Sequence, residues 1–327
     1  MMLGEEVTTL RLPSHPLASV MSSSSRTFSG NEVRLQKLVK EQLKTQVGRV
    51  RGDIIYCEGE TSTNLSTGVA NGDYVFKHPE ADTMLLSAHA KLRTRNYTGT
   101  VVLDCEDTDV FVQAAYVSQQ LRGDLLIKRK HALINCCAML SEEAADIIIP
   151  LHVITGSDHT SGFYRHGKKK VLEKVMTDPE ARELLERVGE SLELEDEVRA
   201  DMKAFVHSIV YAESADVTCG QARASKWHKL KKSTIRLPPD DDSLDLNVER
   251  TNYITYCQLH YNLLEHPSPI GHGWELVNGK CRPVHHTFPP CPSSSHLMTV
   301  QMRSSSDDER TKPSATWKSK VQERTTS

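Results

Sequence analysis

"TVVLDCEDTDVFVQAAYVSQQL" (residues 100–121) decides how the chain is read. Thr100–Asp104 is a short β-branched run, the pattern of a central parallel strand. Asp107 onward, "DTDVFVQAAYVSQQL", has the periodicity of a helix, which leaves Asp107 and Asp109 where the strand hands over to it. Working outward, "HPEADTMLLSAHAKLRTR" (78–95) is a preceding helix, with Pro79 in its first turn and Met84, Leu85, Ala88 and Leu92 on one face. "DLLIKRK" (124–130) is a following strand. Helix, strand, helix, strand in this order predicts an α/β layer fold.

Farther out, 31–47 has helical spacing, "DIIYCEG" (53–59) reads as a short buried strand, and 61–76 reads as a hairpin or loop with a turn at Asn71-Gly72-Asp73. The stretch "SEEAADIIIPLHVIT" (141–155) stays open. Its three isoleucines favour a strand, whereas Ser141 followed by two glutamates is a helix start, and Pro150 inside a helix costs about 3 kcal/mol. Residues 178–212 read as two helices broken near Gly189. "LPPDDDSLDL" (237–246) has the composition of a linker, 251–266 reads as one more helix, and 267–292 as loop and turn.

The 327 residues suffice for one large or two small domains, and 38% hydrophobic content can build a core. Only 6% are aromatic, so much of the chain is expected outside that core. With a net charge of −3, attraction to nucleic acid requires local basic patches. Eight scattered cysteines with no CxxC pair suggest reduced thiols, and neither an 18-residue apolar run nor a signal-peptide pattern is seen. The expected location is intracellular, nucleus or cytoplasm, with no membrane partner. Gly-rich nucleotide loops and Gly-x-Ser-x-Gly are absent, which removes two enzyme classes.

Five carboxylates occupy positions where a parallel sheet gathers its ligands: Glu80 and Asp82 at a helix start, Asp107 and Asp109 at a strand end, and Asp158 in "GSDHTSG" at the exit of an apolar element. Clustered carboxylates repel, and Mg²⁺ or Mn²⁺ relieves the repulsion. Helix-start acids favoured by the dipole would account for either pair taken alone. "GKKKVLEK" (167–174) follows, and Lys168, Lys169 and Lys170 are candidates to hold phosphates, with a solvated helix start as the alternative. "RASKWHKLKKSTIR" (223–236), with Lys226 and Lys229, reads as a nucleic-acid-contacting patch or a plain basic linker. His89 and His152 lie among apolar residues and read as core packing. Cys281, His285, His286 and Cys291 match no familiar zinc spacing.

"PEADTMLLSAHA", "VVLDCEDTDVFV" and "IIIPLHVITGSDHTSGFYRHGKKKVLEKV" together resemble the flap-endonuclease family within the PIN-like 5′-nuclease superfamily. They resemble still more a set of often transposon-associated animal proteins with an EADT…DTDV…G-D-T-S-x-F series and a "PSPIGHGWEL" segment, here at 267–276. The resemblance implies a PIN-like three-layer domain with a central, mainly parallel sheet and a helical extension. It implies metal roles for Glu80, Asp82, Asp107, Asp109 and Asp158, with Asp107, Asp109 and Asp158 catalytic, a Mg²⁺ or Mn²⁺ cofactor, and a helical 141–155. The partner implied is a nucleic-acid backbone, DNA in preference to RNA. The family begins with a strand bearing a further aspartate that is not found here with matching context, so its first strand is expected to be missing. Gly-Ser-Asp also stands for Gly-Cys-Asp, and Asp82 for a longer glutamate. The expected function is therefore a divalent-metal-dependent phosphodiesterase or a degenerate relative, with a non-catalytic interaction module as the alternative. The expected layout is a disordered 1–30, a PIN-like domain over 31–215 with its core at 50–180, a basic linker and partly ordered segment over 216–292, and a disordered tail over 293–327.

Overall fold

The computed structural model describes residues 8–11, 28–49, 54–58, 61–70, 81–130, 132–211, 218–229 and 237–285. Strand β4 (Val101–Asp104) is its axis. Val101, Val102 and Leu103 are all buried, so both faces of the strand are covered, as in a parallel sheet. β4 runs parallel to β5 (Leu125–Arg129) on one side and to β1 (Thr8–Arg11) on the other. The antiparallel edge strand β6 (Ala132–Asn135) completes the order β1-β4-β5-β6. β2 (Ile55–Glu58) and β3 (Thr61–Asn64) form a separate antiparallel pair. The architecture is mixed α/β with small mixed sheets.

β1 corrects the reading of 1–30 as disordered. Four residues, Thr-Thr-Leu-Arg, are too short to show alternation, so only pairing with β4 identifies them as a strand. Residues 28–30 of that span begin a helix, and 1–7 and 12–27, like 293–327, lie outside the described residues.

Helix α1 spans Phe28–Lys44, α2 spans Ala81–Thr94 and α3 spans Thr108–Gln120. Leu85, Leu86 and Ala90 of α2 and Val110, Ala114 and Val117 of α3 pack with Val101, Leu103, Leu125 and Ile127 of the sheet. After a 3₁₀ turn at Cys136–Ala138 comes α4 (Glu142–Ile154). The Ser141 side chain caps it by accepting from Ala144 N at 3.3 Å, which settles the open reading of 141–155. Pro150 is accommodated because α4 is buried throughout from Ile149 onward. Ile147, Leu151 and Ile154 face one core and Ile149 and Val153 another. Each fully buried aliphatic side chain contributes about 1.5–3 kcal/mol, so five outweigh one proline.

α5 (Lys168–Val175), α6 (Pro179–Arg187), α7 (Asp196–Phe205), a π-helical turn (Val206–Val210) and α8 (Cys219–Lys229) follow. The linker expected over 237–246 is instead the start of α9 (Asp241–Leu259). Asp240 caps it, accepting from Ser243 N at 3.0 Å, and its Leu244 and Val248 join the α4–α7 core. The two prolines and three aspartates are thus a helix-entry signal. The basic stretch expected as linker likewise enters α8. A hairpin, β7 (Trp274–Val277) and β8 (Lys280–Pro283), replaces part of the expected loop at 267–292. Residues through Val284 form one unit. Cys105, Cys136, Cys137, Cys219 and Cys281 carry free thiols, and among the described residues no helix is long and apolar enough to cross a membrane.

Candidate functional site

At the end of β4 the chain meets two carboxylate positions with different fates. Asp104 pairs across the sheet with Lys128 of β5, Oδ2 to Nζ at 2.9 Å, matching their register. Asp107 is exposed and caps α3, its Oδ1 accepting from Asp109 N at 2.9 Å. The capping role thus takes one of its oxygens.

Asp109, in the first turn of α3, points inward. Its Oδ1 lies 2.8 Å from Nε2 of His152, near the end of α4, and the side chains are 14% and 5% exposed. The hydrogen bond from His152 holds the Asp109 carboxyl below its usual range, outweighing burial, with added help from the fields of His152, His159 and Lys168.

Lys168 was a candidate phosphate ligand, but its ammonium is turned to the C-terminus of α4. It donates to His152 O at 2.7 Å, to Thr155 Oγ1 at 3.3 Å and to Gly156 O. His152 O is one of the carbonyls that a helix end leaves without a backbone partner, and Gly156 O follows the cap residue Thr155. Burial pushes the Lys168 amine down to about 8, while Asp109 acts in the opposite direction. Asp109, His152 and Lys168 therefore form one connected, internally neutralised cluster.

The segment 156–162 is a closed loop. Gly156 has φ +115°, and a Cβ there would lie 2.7 Å from Gly162 Cα, so a glycine is required. Ser157 Oγ meets Thr160 Oγ1 at 2.9 Å, Thr160 Oγ1 donates to Val153 O, and Ser161 N donates to Asn247 Oδ1 at 3.1 Å. Asp158 is exposed on this loop. Its neighbour His159, not Asp158 itself, is among the groups that act on Asp109.

The other predicted acids gather only partly. Asp82 and Asp107 both act on the Cys105 thiol, which is pushed up chiefly by burial, so the start of α2 and the end of β4 do meet. Glu80 lies outside the described residues. Among the described residues, no three of Asp82, Asp107, Asp109 and Asp158 bring donor atoms within 4.8 Å of one another; the trio that does is Asp241, Asp242 and Asp245, elsewhere. The described acids do not fit a two-ion centre.

The cations divide as well. Lys169 and Lys170 are exposed. Lys226 donates to Tyr211 O at 2.8 Å, and the side chain of Lys229 lies outside the described residues. Burial lowers the pKa of His166, and Lys226, Lys174 and Lys170 lower it further, so cations from α5 and α8 share one locale. Sequence reasoning missed His152, His159, Lys174 and His166. The available signal for His152 was a basic side chain one turn before the Gly156 loop. No protein-family model matches the chain, nor does any curated protein or solved structure.

Proposed function

We propose that the chain is a nucleic-acid-backbone-binding, degenerate relative of PIN-like 5′-nucleases, with weak or absent hydrolysis. The observation that carries this reading is the internal neutralisation of Asp109. A two-ion nuclease keeps such a carboxylate available to a cation. Here the carboxylate is held by a hydrogen bond to a buried imidazole and lies in the field of a helix-capping ammonium. The three parallel neighbours β1-β4-β5 and the helices between them support a PIN-like arrangement. β1 brings no acid to the sheet, because its last residue, in register with Asp104, is Arg11. Asp82 and Asp107 meet at the sheet edge without Asp158, so any Mg²⁺ or Mn²⁺ taken up there would be a single ion. Lys169, Lys170, Lys174 and Lys226 supply the phosphate-attracting surface, which carries no base information.

The test is cleavage of flap, single-stranded and duplex DNA with each metal, alongside filter binding. The expected result is binding without robust cleavage, unchanged by Asp158→Asn. Robust cleavage abolished by Asp158→Asn would restore an active nuclease site, and absence of any binding would remove nucleic acid as the partner.

A further inference from the structure

A second cluster of metal-type donors lies away from the sheet edge, where the π-helical turn, α8 and α9 meet. His207, 3% exposed on the π turn, directs Nε2 at the sulfur of Cys219, 2% exposed and the first residue of α8, at 3.2 Å. On the other side of that sulfur, 3.5 Å away, is Oδ1 of Asp241 in the first turn of α9. In tetrahedral Zn²⁺ sites with bonds of about 2.0–2.3 Å, neighbouring donors stand about 3.6 Å apart. The two observed separations fit two edges of such a tetrahedron.

We propose that His207, Cys219 and Asp241 form a Zn²⁺ site that ties the π turn to the starts of α8 and α9. Imidazole nitrogen, thiolate sulfur and a carboxylate are the mixed donor set that suits zinc, and the hard ions expected at the sheet edge avoid it. The π turn that ends α7 adds weight, because π-helical turns are frequent at functional sites. Asp241 and Asp245 give the locale negative charge, and a cation already answers it: Lys203 Nζ lies 2.9 Å from Asp241 Oδ1 and 3.0 Å from Asp245 Oδ1. The donor triangle is open in this form, since His207, Cys219 and Asp241 are not all within 4.8 Å. Zinc binding therefore swings Asp241 from Lys203 toward the imidazole. Burial and the adjacent Asp241 push the Cys219 thiol up to about 12, so the metal-free sulfur keeps its proton and is no nucleophile.

The full chain is titrated with Zn²⁺ by calorimetry and with Co²⁺ by absorption. A sulfur-to-cobalt charge-transfer band is expected, retained in Cys281→Ser and lost in Cys219→Ser. Zn²⁺ affinity is expected to fall at least about 100-fold in His207→Gln, beyond the 10–100-fold typical of outer partners. Lys203→Met keeps all three donors and removes the competing cation, so it should bind Zn²⁺ more tightly. A missing band, a band that survives Cys219→Ser, or unchanged or weaker affinity in Lys203→Met overturns the proposal. The last measurement decides even if the Cys219 and His207 variants do not fold.

Discussion

The interior of α2 and the end of α4 each bury a histidine, and the two are opposites. His152 is 4% exposed and its Nε2 meets Asp109 at 2.8 Å. His89 is 1% exposed, and neither of its ring nitrogens has a hydrogen-bond partner. Burial, with Arg93 adding to it, brings the His89 pKa down to about 4, so its ring is neutral at ordinary pH. Equal burial therefore means different things. At His89 the imidazole acts as an apolar filler, and at His152 it is half of a polar pair that organises the sheet edge.

Removing one member of each arrangement should expose the contrast most strongly. Asp109→Ala leaves a buried imidazole nitrogen without its acceptor, and a buried polar group left unsatisfied costs about 1–3 kcal/mol. His89→Leu removes two unsatisfied polar atoms at similar volume, so it should be near neutral or stabilising at pH 7. Urea unfolding of both variants measures this. Equal losses would mean that the two histidines are not different in kind.

Acid should separate them next. His89 has a folded pKa below the ordinary 6.5, so the unfolded chain binds the extra proton between pH 6.5 and about 4. The neutral ring's contribution is complete above pH 6.5 and is lost as pH falls toward 4, by about 3 kcal/mol. Asp109 is also depressed, from 3.8, so its contribution is complete above 3.8 and declines only below it. Stability measured from pH 7 to 4.5 should therefore fall in the wild type and stay flatter in His89→Leu. Asp109→Asn should keep the wild-type slope in that window.

Sequence alone showed part of this. Val101–Asp104, α3 and β5 were legible because strand and helix alternate there and each has a clear period. α4 is ambiguous because its buried second half shows almost no polar periodicity, leaving Ile147-Ile148-Ile149 to read as a strand. α9 began inside an expected linker because Pro238, Pro239 and the aspartates 240–242 have a linker's composition, although Asp240 caps the helix and Asp241 and Asp242 occupy its first turn. Asp107 and Asp109 were read as a pair, yet one caps a helix in solvent and the other turns inward. That division depends on His152, far along the chain, and no local pattern encodes it. Both histidines were read as packing, which holds only for His89.

The smallest expected effect divides the three neighbouring lysines in the same way. Lys168 donates to the end of α4, so Lys168→Met should cost about 1–2 kcal/mol by removing the ammonium donor from His152 O and Gly156 O. Lys169 and Lys170 are exposed, so replacing both with alanine should leave stability unchanged within about 0.5 kcal/mol. Their effect should appear in binding. Each phosphate contact releases condensed counterions, so the slope of log K against log salt should flatten by about 2 for the pair, equally for every sequence. Lys168→Met should barely change that slope, because its charge is already committed to the helix end. Binding isotherms for the three proteins across a salt series, with unfolding curves beside them, make the comparison. A slope that changes with Lys168 and not with Lys169 and Lys170 would mean that the ammonium leaves α4 when nucleic acid binds, and that the cluster around Asp109 opens with it.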